Sequence, residues 1–149
     1  KAVEPKCIYG LTKAIGEKLF LSGGYKVFRG VNFLNSNGSV LDIWNLLKNE
    51  NKPIIVNDPY AVRYFSTIDN VSDVIIDNLF KPQSQIFSIK KCYRISILDL
   101  SNAFCAKYNY WNRDIKENGM LEVEKKIEDI PLRNIEILHP SIEEIINLI

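Results

Sequence analysis

Histidine is almost absent: His139, standing before Pro140, is the only one in 149 residues. That scarcity leaves neither a Ser-His-Asp catalytic arrangement nor a histidine-rich metal centre, and no metal is expected. Cysteine is scarce and odd in number. Cys7, Cys92 and Cys105 lie far apart and form no Cys-x-x-Cys pair, so free or buried thiols in a reducing compartment are expected rather than a disulfide framework. An excess of charge of one sign is lacking too, since the net charge is +1, which gives no field to recruit nucleic acid or an anionic membrane. No apolar run approaches the ~20 residues that cross a bilayer, and the charged start lacks the apolar segment of a signal peptide. The expectation is a cytoplasmic protein with neither membrane nor nucleic acid as partner. Two further absences concern the extent of the chain. It contains no Gly-x-Gly-x-x-Gly or Gly-x-x-Gly-x-x-Gly turn for a dinucleotide, and Lys1 stands where an initiator Met would. A piece of a longer chain is expected.

What is present reads as an ordinary α/β domain, with 46% hydrophobic and 25% charged residues. A helix is predicted from Tyr9 through Phe20, stopped by Ser22-Gly23-Gly24, and the first half of Tyr25 to Phe33 reads as a strand. Helices are also predicted from Leu41 to Lys48, from Asp69 to Phe80, from Ile97 to Cys105 after a Ser96 cap, and from Ser141 to Ile149 with a capping box. Short strands fall at 53–57, 85–89 and 134–138. This alternation is that of a doubly wound sheet. In the first helix Tyr9 and Lys13 are one turn apart and share a face, while Leu11, Ile15 and Leu19 are free to pack elsewhere. A phenol with an ordinary pKa of about 10 is a poor base at neutral pH, and a fixed ammonium beside it favours the phenolate. The spacing alone recurs by chance, so its surroundings decide its meaning.

Those surroundings run Lys1-Ala2-Val3-Glu4-Pro5, then Ile8-Tyr9-Gly10-Leu11-Thr12-Lys13, then Gly16-Glu17-Lys18-Leu19-Phe20. They resemble the catalytic segment of extended short-chain dehydrogenases, in particular the polysaccharide-biosynthesis branch of nucleotide-sugar 4,6-dehydratases and epimerases. That branch reads Thr-Asp-Lys-Ala-x-x-Pro ahead of Tyr-Gly-x-Thr-Lys. Further matches follow in order. Arg29 and Asn32 match a family Arg-Tyr-Gly-Asn-Val stretch, from which Gly30 and Val31 depart, and Gly38-Ser39-Val40 repeats a family turn. Asp58, Pro59, Arg63 and Thr67 match Thr-Asp-Pro-x-Met-Thr-Arg-Phe-Trp-Ile-Thr, with aromatics at Tyr64 and Phe65. The family's phosphate-binding Arg-Pro-Gly-Glu-Lys would fall near 115–122, where Lys116 and Leu121 remain. Read from the residues alone, Asn32 either caps a loop or faces a ligand. Arg63 is either a surface arginine or a bidentate phosphate ligand flanked by an aromatic that can lie on a nucleoside ring.

The resemblance implies the C-terminal portion of a Rossmann-like doubly wound parallel sheet plus a small α/β substrate-binding lobe. Residues 1–57 would approximately end the Rossmann-like core, and 58–149 would form the lobe intertwined with it. It implies NADP or NAD as cofactor, with Tyr9 and Lys13 at the nicotinamide. It further implies Tyr9, Lys13 and Lys1 as catalytic residues, and Asn32, Arg63 and Lys116 on a nucleotide-sugar substrate of the UDP-N-acetylglucosamine kind. The partners expected are a dinucleotide-binding N-terminal half outside this sequence and, for the parent, a second copy of itself. The alternative function is a non-catalytic domain of dehydrogenase descent that binds a nucleotide sugar or a subunit.

Overall fold

The computed structural model describes residues 5, 7–82, 86–116 and 135–149. They form a mixed α/β fold of parallel and antiparallel strands with helices against them. Helix α1 (Ile8–Ser22) ends where Gly23 donates to the Leu19 carbonyl and Gly24 to that of Leu21. Gly24 sits at φ +77, a left-handed conformation that a side chain would strain. The chain then reverses into β1 (Val27–Arg29), which pairs in parallel with β5 (Ile86–Ser88), Phe28 opposite Phe87. Lys26 fixes this reversal. Its ammonium donates to the carbonyls of Asn78, Leu79 and Lys81, closing the end of the helix that precedes β5.

A four-stranded sheet follows the order β2 (Asn32–Phe33), β4 (Val62–Ser66), β6 (Lys91–Ser96), β8 (Glu136–Leu138). Neighbours run parallel except β4 and β6, which are antiparallel with Tyr64 opposite Arg94. A second parallel pair joins β3 (Ile54–Val56) to β7 (Arg113–Ile115). Serine and threonine caps start the helices between them. Ser39 caps α2 (Val40–Asn49), Thr67 caps α3 (Ile68–Leu79) and Ser96 caps α4 (Ile97–Tyr108), each accepting from the amide three residues on. Ser141 and Glu144 form the reciprocal capping box of α5 (Ile142–Leu148).

The core has two parts. The larger holds Leu41 and Trp44 of α2, Ile54 and Val56 of β3, Leu100, Phe104 and Cys105 of α4, and Ile145 of α5. Trp44 meets Phe104 edge-on at 5.5 Å and donates its indole N–H to the Ile55 carbonyl at 2.9 Å. The smaller gathers Val71, Ile89 and Cys92, with Phe28, Val31, Phe33 and Tyr64 against them. Gly30 belongs to it by absence: a Cβ there would stand 2.7 Å from the Phe33 ring and 3.0 Å from Phe28. The departure from the family pattern at this position thus accompanies a pair of phenylalanines that need the space.

The predicted elements are present, and four strands join them. β2, β4, β6 and β7 were not anticipated; the strand expected in the first half of 25–33 is β1, and β2 beyond it belongs to the four-stranded sheet. Helix α3 starts earlier than expected, at the Thr67 cap, and of its expected apolar stripe Val71 and Val74 are buried while Ile75 and Leu79 are exposed. The packing expected of α1 is also corrected: Ile15 is 59% and Leu19 66% exposed, and Leu11 is exposed with them. Gly10 alone of this helix is buried.

Two substitutions in α2 separate core from surface. Trp44→Ala removes the ring, its packing on Phe104 and its bond to Ile55, and should cost about 3–5 kcal/mol in urea unfolding. Leu46→Ala, on the exposed side of the same helix, should change stability by less than about 0.5 kcal/mol.

Candidate functional site

Tyr9 and Lys13 stand one turn apart at the start of α1, and the Lys13 ammonium lies over the Tyr9 ring, 5.3 Å from its centroid. That is within range of a cation–π contact. Tyr9 is 54% exposed, so the phenol and the ammonium can be approached together from outside. Local sequence explains the placement. Gly10, the next residue, is buried, and Thr12 turns its hydroxyl back to the Tyr9 carbonyl at 2.8 Å.

The next turn of this helix is tied to β1. Glu17 receives two bonds from Arg29 of β1, 2.8 Å from Nε and 2.5 Å from Nη2. The side chains are 10% and 27% accessible, respectively. Hydrogen bonding by Arg29 holds the Glu17 carboxyl below its ordinary value of 4.5, and its charge adds to this against the cost of burial. The same bonds raise the Arg29 guanidinium. Sequence reasoning named Arg29 and passed over Glu17. Its signal was available in the i, i+4 series of Tyr9, Lys13 and Glu17, but its partner twelve residues away was not.

Asn32 and Arg63 lie on adjacent strands of the four-stranded sheet. β2 lies beside β4 with Asn32 opposite Phe65, and the Asn32 amide donates to the Tyr64 carbonyl at 2.9 Å. Arg63 donates to the Val62 carbonyl at 2.9 Å. Lys116 sits elsewhere, exposed at the end of β7 and 3.5 Å from Asp114, with its backbone amide bonded to the Val56 carbonyl. Lys1 and most of the stretch 115–122 lie outside the described residues. The Gly38-Ser39-Val40 turn spends its polar groups within the chain, since Gly38 donates to Asp42 and Ser39 caps α2. Among the described residues no group of three metal-ligating side chains occurs, and no helix is long and apolar enough to cross a membrane. All three cysteines are free, and burial raises the thiols of Cys92 and Cys105, which makes them poor nucleophiles.

A sequence profile of the polysaccharide biosynthesis protein family matches residues 1–148. The chain belongs to this family. It is 28% identical over 143 residues to the probable polysaccharide biosynthesis protein EpsC of Bacillus subtilis (strain 168), a match covering 90% of this chain and 24% of that protein. Among solved structures it resembles the UDP-glucuronic acid 4-epimerase of Bacillus cereus, solved with UDP-glucuronic acid and NAD. The TM-score is 0.67 and the identity 16%, covering 97% of this chain and 47% of that one. It also resembles TunA, an NAD-dependent NDP-hexosamine 5,6-dehydratase of tunicamycin biosynthesis, with TM-score 0.67 and identity 15%, covering 97% and 53%. These likenesses establish a fold shared with Rossmann-like nucleotide-sugar enzymes. This member of the polysaccharide biosynthesis family spans about a quarter of the curated relative's length and about half of each solved chain.

The Glu17–Arg29 pair makes stability depend on acid. Because the folded carboxyl lies below its unfolded value, the pair contributes fully above about pH 4.5 and its contribution is lost as the pH falls through the lowered folded value. Glu17→Gln should therefore lose about 1–2 kcal/mol at neutral pH, with the deficit shrinking as acid protonates the wild-type carboxyl. Thermal unfolding from pH 7 to pH 3 reads both parts.

Proposed function

We propose that this chain is the catalytic and substrate-binding C-terminal part of an NAD- or NADP-dependent nucleotide-sugar 4,6-dehydratase or epimerase of surface-polysaccharide biosynthesis. The observation that carries the reading is the half-exposed Tyr9 phenol with the Lys13 ammonium 5.3 Å from its ring centroid, in a family of polysaccharide biosynthesis proteins. Tyr9 takes the proton from the hydroxyl at carbon 4 of the sugar. Lys13 offers three N–H donors one turn away, suited to ribose hydroxyls. A phenol and an ammonium on one open face fit the nicotinamide end of a dinucleotide; the glycine-rich turn for its pyrophosphate is not among these residues. When bound, that group accepts and returns the hydride of carbon 4. Lys1 acts at carbons 5 and 6, where a dehydratase removes a proton and expels water. Arg63 binds the diphosphate, with Asn32 beside it holding β4 through the Tyr64 carbonyl, and Lys116 supplies a further cation.

Residues 1–57 then end a Rossmann-like core and 58–149 build the substrate lobe. The exposed apolar side of α1 and the two-stranded parallel sheet of β1 and β5 support an N-terminal half that covers them, because parallel strands are stable where both faces are buried.

Tyr9→Phe in the full-length protein should lower turnover of a UDP-N-acetylhexosamine by at least about a hundredfold, with nucleotide-sugar binding by calorimetry and the melting temperature nearly unchanged. Near-normal turnover in that variant rules out the assignment. Binding without turnover in the unaltered protein would favour a non-catalytic nucleotide-sugar domain.

A further inference from the structure

Lys13 has a helical neighbour that ought to claim it. Glu17 lies four residues on, the spacing at which opposite charges on a helix meet. It is also the only carboxylate three or four positions away, since the other such positions hold Tyr9, Gly10 and Gly16. Yet Lys13 makes no salt bridge with it, and instead lies over the Tyr9 ring. The reason is on the facing strand. Both Glu17 oxygens accept from the Arg29 guanidinium in a fork, a geometry in which a planar guanidinium outcompetes a single ammonium. Lys18 also faces Glu17 electrostatically, but at i+1 it points to another side of the helix.

We propose that Arg29 is a positioning residue that withholds Glu17 from Lys13, so that the Lys13 ammonium stays with the Tyr9 phenol. The inference rests on the reading of Tyr9 and Lys13 given above. In the absence of Arg29, Glu17 is a poorly hydrated carboxylate whose one cation within helical reach is Lys13. The ammonium is then drawn a turn toward the C-terminus and away from the phenol. Arg29 itself touches no substrate; it acts through Glu17.

A merely structural ion pair and this withholding device predict opposite behaviour in the double variant. Arg29→Met in the full-length protein should lower kcat at least tenfold with KM little changed, and Arg29→Lys, which keeps a cation on Glu17, should lose much less. Arg29→Met with Glu17→Gln should recover most of the lost kcat, although it restores no ion pair and is no more stable than Arg29→Met. A double variant as slow as Arg29→Met overturns the proposal. The position of Lys13 can be read without turnover, from the ring-current shift of its ε-methylene protons in lysine-ε-13C-labelled protein, assigned with Lys13→Arg and referenced to Tyr9→Leu. That upfield shift should vanish in Arg29→Met and return in the double variant. Retention of the shift in folded Arg29→Met also overturns it. Should Tyr9→Phe prove active, the functional reading fails by itself, and the shift still decides where Arg29 leaves Lys13.

Discussion

Helix α1 carries a run of apolar residues and buries almost none of them, and the charge pair between Glu17 and Arg29 ties it to β1. Apolar burial normally secures a helix against a sheet, but here Ile15 and Leu19 face outward and Gly10 is the helix's one fully buried residue. A fork of two charge-assisted bonds from β1, largely shielded from water on the carboxylate side, occupies both oxygens of the carboxylate one turn from Lys13. One electrostatic contact therefore links strand β1, helix α1 and the proposed proton-transfer pair.

The remainder of the molecule is built more conventionally. Trp44, Phe104, Leu100 and Ile145 join three helices to β3, and the buried Ser66 hydroxyl accepts from Asn70, whose amide also reaches the Lys91 carbonyl. Asn70 thereby ties α3 to both β4 and β6. This sheet carries Asn32 and Arg63 on adjacent strands, joined by the amide-to-carbonyl bond from Asn32 to Tyr64. The two candidate groups thus differ in kind: the tyrosine helix is loosely covered, whereas the strand pair is set in a packed sheet.

Much of this was legible in the sequence where the deciding interaction is local. The Ser141–Glu144 box, the Ser96 cap, the Gly23-Gly24 stop and the Tyr9–Lys13 spacing each need only four residues to be read. The strands β2, β4, β6 and β7 were not, because β2 is only two residues long, Arg63, Lys91, Arg94, Arg113 and Asp114 interrupt any clear alternation, and these strands are defined by partners far along the chain. Leu11, Ile15 and Leu19 misled for a related reason: an apolar face announces burial without saying what buries it. Glu17 was invisible as a functional residue because Arg29 reaches it only after the chain has turned at Gly24.

The central claim is that this chain carries the chemistry of a nucleotide-sugar enzyme. Incubating the full-length protein with NAD or NADP and UDP-N-acetylglucosamine, and following the nucleotide sugar by mass spectrometry and NMR, tests it most directly. The account predicts a 4-keto-6-deoxy product lighter by one water, or an epimer of unchanged mass. Recovery of the unaltered sugar with both cofactors, from protein that demonstrably binds it, would contradict the account.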